Sequence, residues 1–181
     1  MTLKPGTRKL ALTTHVASSV GWLGAVVTFL ALALAGLTSE DEDTVRAVYL
    51  AMESIGWFVL LPLSFASLLT GLVQSLGSAW GLFRHYWVVF KLLINVAATI
   101  VLLLYMETLD HFARVAAVAS ASPGIPDALR SPSPLIHSAL ALLLLLVATV
   151  LAVYKPRGVT PWGQRRLGQQ RGRWQPPRGR P

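Results

Sequence analysis

The sequence predicts an all-α integral membrane protein, a four-helix antiparallel bundle with both termini in the cytoplasm. Three observations lead there. Of 181 residues, 54% are hydrophobic and only 13% charged, with a mean hydropathy of +0.56, well outside the range of soluble domains. Four apolar runs, about 10–37, 45–75, 86–107 and 134–154, reach the ~20 residues that cross a ~30 Å hydrocarbon core. Charge is also segregated. Thirteen of the sixteen basic residues fall at the N-terminus, at the start of the third span or in the C-terminal tail, and all eight acidic residues fall at the opposite ends of the spans. The positive-inside bias then places both termini in the cytoplasm, and an even number of spans agrees with that.

The spans fill residues 1–155 and leave too little chain for a second folded domain. Cysteine is absent, which excludes disulfides and thiolate metal sites. No Walker loop, HExxH, GxSxG or dinucleotide-binding fingerprint occurs, so soluble-enzyme chemistry has no support.

The first span follows Lys4, Arg8 and Lys9, and Ala33-Leu34-Ala35 before Gly36 mimics a signal-peptide cleavage site. Its apolar run far exceeds the ~7–15 residues of a signal core, so a retained span is expected. Thr7 is its N-cap candidate. Gly21, Ala25, Thr28 and Gly36, interrupted at Leu32, form a small-residue stripe suited to close helix contact. His15, Ser19, Trp22 and Val26 share an adjacent face.

The acidic loop from Ser39 to Asp43 offers caps for the second span. There Glu53, Trp57, Leu60, Ser64, Ser67, Gly71 and Gln74 recur at three- and four-residue steps, a polar face that must turn inward. Pro62 should kink that helix near mid-membrane. Arg84, His85, Tyr86 and Trp87 read as an interfacial belt before the third span, which sets Lys91, Asn95 and Thr99 four residues apart. Residues 109–119 extend this helix or lie on the membrane. Residues 120–134 read as a loop, and Ser133 with Pro134 starts the fourth span. Residues 156–181 are basic and rich in Gly, Pro and Gln. They should form a disordered cytoplasmic tail drawn to anionic lipid rather than to nucleic acid.

Depth along the helices, at ~1.5 Å per residue, singles out the functional candidates. His15 and Lys91 each sit about six residues past the inner boundary, roughly 9–10 Å into the inner leaflet. Ser19, Gln74, Asn95 and Thr149 fall in or near the same layer. An ionisable group there costs ~2.5–3.5 kcal/mol on insertion scales and marks a functional site by default. Lys91 snorkelling to the interface, and a neutral His15 bonded to Ser19 or a backbone carbonyl, are the structural alternatives. An outer cluster of Glu53, His111 and His137, with Glu107 and Asp110 nearby, allows a Glu53–His137 pair or proton or metal handling. Trp22 and Trp57, both near mid-membrane, are core aromatics or the walls of a pocket for a flat ligand.

The strings HVASSVGWLGA, GWFVLLPLSFASLLTGLVQSLG, WGLFRHYWVVFKLL and VYKPRGVTPWG resemble an uncharacterised family of four-helix membrane proteins from high-GC Gram-positive bacteria. More distantly, the His-to-Trp-Gly and Trp-to-Lys strings resemble the copper-resistance D family and the HemJ-type protoporphyrinogen oxidases. The resemblance implies a multi-pass protein of the bacterial cytoplasmic membrane. It also implies a haem b- or porphyrin-associated redox role, in which His15 is the axial ligand to haem iron and Lys91 the lysine required for activity. On that reading Ser19, Trp22, Lys91 and Asn95 surround the cofactor, and His85 is the one inner-side candidate for a second ligand. A cofactor-free transport or accessory protein, gated by the inner and outer polar layers, is the alternative. A third possibility is a partner subunit in a homo- or hetero-oligomer, assembled through the Gly21–Gly36 stripe.

Overall fold

The structure is a computed structural model that describes residues 4–77, 82–118, 124–156, 158–161 and 163–165. Its helices are α1 (Pro5–Thr38), α2 (Glu42–Ile55), α3 (Leu61–Gly77), α4 (Tyr86–Val118) and α5 (Ser133–Tyr154), with a π-turn over Gly56–Leu60 and a 3-10 turn over Asp127–Arg130. The π-turn joins α2 to α3, so the chain forms four rods, each long and apolar enough to cross a membrane.

Helix α1 begins at Pro5 with Lys4 as N-cap and no side-chain cap, rather than at Thr7. Proline at the first helical position has its φ preset, and its missing N–H would have been unpaired there anyway. The acidic loop does cap α2: the Asp41 carboxylate accepts from the Thr44 hydroxyl and from the Thr44 N–H at 2.9 Å. Those bonds, the hydroxyl's foremost, hold the Asp41 carboxyl below its ordinary range.

Helices α2 and α3 are not one regular rod. Pro62 has no N–H to offer the carbonyl of Phe58, and its ring crowds that oxygen. The preceding turn widens, and the Leu61 N–H reaches back five residues to the Gly56 carbonyl. One extra residue in a turn rotates everything beyond it by about 100°. Ser64 and Ser67 are therefore fully buried while Trp57 is 42% exposed. The polar face expected to run unbroken from Glu53 to Gln74 is split in two.

Helix α4 runs well past the expected end at 107, because its amphipathic continuation finds a partner. Leu109, Phe112, Ala113 and Ala116 are buried, and Phe112 meets Tyr49 edge-on at 5.5 Å. Helix α1 packs on α2, α3 and α5, and α4 packs on the same three, so α1 and α4 face each other across the bundle axis. Neighbouring rods run antiparallel, since Gly36 meets Val48 and Gly71 meets His15.

The two ends differ in packing. At the acidic end Phe29, Val45, Tyr49, Met52, Met106, Leu109 and Leu129 form a continuous core. Gly56 is needed there, because a Cβ would lie 2.9 Å from the Met106 methyl. The segment from Gly124 to Arg130 closes this end. Arg130 donates to the Ser39 carbonyl at 2.9 Å and pairs with Glu40 at 3.1 Å; Tyr49 donates to the Leu129 carbonyl at 2.7 Å.

At the basic end the helices separate around a cavity, and the chain beyond α5 folds back. The tail expected to be structureless from residue 156 is instead docked over 158–161 and 163–165. His85 and Val159 pair as an antiparallel bridge, and the Thr160 N–H donates to the Arg84 carbonyl at 3.0 Å. The pairing uses the carbonyls just before α4: that of Phe83 accepts from the Thr160 hydroxyl and that of Arg84 from the Thr160 N–H. Residues 166–181 lie outside the described residues.

Candidate functional site

The cavity has a volume of about 660 Å³ and lies among α1, α3, α4 and α5. Helix α1 presents His15, Ser19 and Trp22 to it; α3 presents Ser67, Gly71 and Gln74; α4 presents Lys91 and Asn95; α5 presents Thr149. Every member of the expected inner layer thus lines one space, as Trp22 does, with 3% of its surface exposed. The shared depth of His15 and Lys91 translates into a shared cavity wall.

The hydrogen bonds around His15 determine its tautomer. Its Nδ1 lies 3.1 Å from the Ser67 carbonyl and 3.1 Å from the Thr70 hydroxyl. The single hydroxyl proton of Thr70 is directed to the Ala66 carbonyl, so towards His15 that oxygen is an acceptor. A carbonyl is an acceptor too. Facing two acceptors, Nδ1 must carry the proton in the neutral ring, which leaves Nε2 with a free lone pair. Gly71 lets the ring lie flat against α3: a Cβ there would stand 3.1 Å from His15 Cε1.

The neighbouring polar groups are mostly used in bracing the helices. Ser19 bonds the Ser67 hydroxyl at 2.8 Å, rather than His15, and Gln74 donates to the Ala11 carbonyl at 3.0 Å. Asn95 donates to the Lys91 carbonyl at 3.0 Å, and Thr149 to that of Leu145 at 2.8 Å. The Lys91 ammonium stands 5.8 Å from the centre of the Trp87 ring, a cation–π distance one helical turn towards the basic end. It therefore lines the cavity while leaning towards its mouth.

Other expected site residues are placed elsewhere. His85 pairs with Val159, stands 6.4 Å from the Trp87 ring and does not line the cavity. The outer cluster does not assemble. His137 donates from Nδ1 within its own helix, to the Ser133 carbonyl at 2.9 Å, and stacks on Tyr105 at 4.1 Å, so it is not paired with Glu53. His111 is exposed, and among the described residues no three His, Asp or Glu side chains are grouped to hold a metal. Met52 and Met106 are buried in the core. Trp57 is neither core nor cavity wall: its indole N–H donates to Asp110 at 2.9 Å. Of the small-residue stripe, Gly21 packs on Leu63 and Gly36 on Val48 within the chain, whereas Thr28 is exposed.

Three participants carry no depth signal in the sequence. Thr70 is signalled only by its position three residues after Ser67 on the polar face. Arg8 and Lys155 also line the cavity, and in sequence they look like ordinary positive-inside residues. No family model, curated protein or solved structure matches the chain.

Proposed function

We propose that this chain is a multi-pass protein of the bacterial cytoplasmic membrane, oriented with both termini inside. In this reading it binds haem b or a related porphyrin in its inner-leaflet cavity for a redox role. The membrane assignment draws on four long apolar rods whose outward faces carry large apolar side chains, Val20 at 63%, Phe58 at 81% and Leu104 at 72% exposure among them. So much outward apolar surface has no place in water.

The observation that carries the ligand reading is the bound state of His15. An imidazole whose Nδ1–H is fixed by a backbone carbonyl, leaving Nε2 bare, is the arrangement that metal-ligating histidines use. The cavity volume lies within the ~300–1,000 Å³ range of cofactor sites. The residues fit the group: His15 would hold the iron, Lys91 would neutralise an acid side chain, and Trp22 with Leu145 and Ala148 would cover the ring and exclude water. When bound, haem supplies one-electron chemistry at iron. Gly71 and Thr70 orient His15 for it.

A polar path through the molecule, as the transport alternative requires, is not favoured. Glu53, His111 and His137 do not meet, and the acidic half is packed with apolar side chains. The test is an absorption spectrum of detergent-purified protein expressed with ample haem. A Soret band that disappears in His15→Ala is expected; a colourless wild-type protein refutes the proposal.

A further inference from the structure

The cavity is not walled on every side. Among the described residues that line it, none from α3 or α4 is exposed, whereas Leu12, Val16 and Val20 of α1 and Thr149 and Val153 of α5 line it and are exposed as well. A side chain does both only at a rim, so the cavity opens between α1 and α5. The other flank of α1 is sealed against α3 at three successive points: His15 lies on Gly71, Ser19 bonds Ser67 and Gln74 bonds the Ala11 carbonyl.

The slit has apolar edges. Leu12, Val16 and Val20 stand four residues apart along one edge of α1. On the other edge Val153 is 69% exposed, and Thr149 turns its hydroxyl to the Leu145 carbonyl of its own helix. Val16 follows Lys9 by seven residues, roughly 10 Å at the helical rise, so the slit looks into the inner leaflet, where an outward side chain meets acyl chains rather than water. The cavity is polarised in the same sense as that leaflet. Lys91 leans over Trp87 towards the basic end, while Trp22 and Leu145 lie deeper and are buried. An amphiphile resting in the leaflet keeps its acid group at headgroup level and its apolar body among the chains. It arrives in the orientation the cavity needs and slides in without exposing its apolar body to water.

We infer that the cavity is loaded sideways from the inner leaflet, through the slit between α1 and α5, and so takes a flat acidic amphiphile dissolved in the bilayer. This rests on the cavity being the ligand site proposed above and adds the phase that supplies the ligand.

The chain contains no cysteine, so the slit can be obstructed after the protein has folded. Full-length Val16→Cys and Val153→Cys, one on each edge, are purified in detergent, modified with pyrene maleimide and reconstituted into phosphatidylcholine vesicles. Leu69→Cys, comparably exposed on α3 but outside the cavity lining, is the labelled control. Haem is added to the vesicles and its binding followed at the Soret band. Pyrene on either edge should slow loading about tenfold relative to the control, and should slow release to a soluble haem scavenger by the same factor, because an obstructed passage raises the barrier in both directions. Rates within about twofold of the control, or a lowered endpoint in place of a slower approach to it, overturn the inference.

A second arm does not depend on porphyrin. Ligand-free wild type is irradiated in bilayers of phosphatidylcholine carrying a diazirine on its acyl chain, and the modified residues are identified by mass spectrometry. Trp22, buried and lining the cavity, should be modified along with Leu69, and pyrene on the cysteine at 16 should protect Trp22 but not Leu69. If haem never binds, the porphyrin reading falls, and modification of Trp22 keeps the lateral route with a different amphiphile in it. Modification of Leu69 without Trp22 means that the bilayer does not reach the cavity, and it overturns the inference whatever haem does.

Discussion

At the scale of single residues, the contact between His15 and Gly71 is the most sensitive point. With a Cβ 3.1 Å from His15 Cε1, Gly71→Ala must push the ring off α3 or lengthen its bonds to Ser67 and Thr70. Overpacking of this kind costs ~1–3 kcal/mol. The protein should keep its helical circular dichroism while affinity for haem falls about tenfold; unchanged affinity would show that ring placement is unimportant. Thr70→Val removes one of the two acceptors facing Nδ1 and should have a smaller effect in the same direction, because the Ser67 carbonyl remains. Trp57→Phe, by contrast, removes the indole bond to Asp110 far from the cavity. It should lower stability by about 0.5–1.5 kcal/mol in a denaturant titration and leave the Soret band untouched. That His15 and Lys91 line one cavity was legible in the sequence because depth follows from residue count alone. Thr70, Arg8 and Lys155 were not: a threonine on a polar face and a cation at a helix end look the same whether or not a cavity lies beside them.

At the scale of helices, the π-turn over Gly56–Leu60 decides which polar groups reach the cavity. Four- and three-residue steps assume a uniform 3.6-residue turn. The sequence therefore placed Glu53 and Trp57 in line with Ser64 and Ser67, whereas the widened turn rotates the two sets apart. Pro62 signalled an irregularity without saying whether it would be a kink or an inserted residue. Deleting the half-exposed Val59 restores a regular count and turns α3 by about 100° relative to α2. Either Ser67 and Thr70 leave His15, or Met52 and Gly56 leave Met106. The deletion variant should lose binding and thermal stability together, and retention of both would mean that the π-turn is dispensable. The length of α4 was left open by the sequence for a different reason. Leu109, Phe112 and Ala116 form an apolar stripe whose burial depends on Tyr49 arriving from another rod, information that no local window holds.

At the scale of the whole molecule, close packing and charge oppose each other. The acidic end is filled by methionine, leucine and aromatic side chains and closed by Arg130 bonded to the first loop. The basic end opens around a cavity among whose described lining residues there is no carboxylate. In a bilayer, apolar burial contributes little to helix association, because lipid is as apolar as the core. The ends must therefore be held by specific contacts, and the end with fewer of them is the one free to admit a ligand. That arrangement is useful only if the basic end faces the cytoplasm, where haem and anionic lipid headgroups are supplied. The charge bias predicts this orientation, and the chain allows a clean test because it contains no cysteine. Asp43→Cys places a single thiol in the exposed acidic loop, and Thr7→Cys places one at the exposed start of α1. In intact cells a membrane-impermeant maleimide should label the cysteine at 43 and not the one at 7, and lysis should make both reactive. The reverse pattern would put the mouth of the cavity outside the cell, in a compartment where the proposed ligand is not delivered.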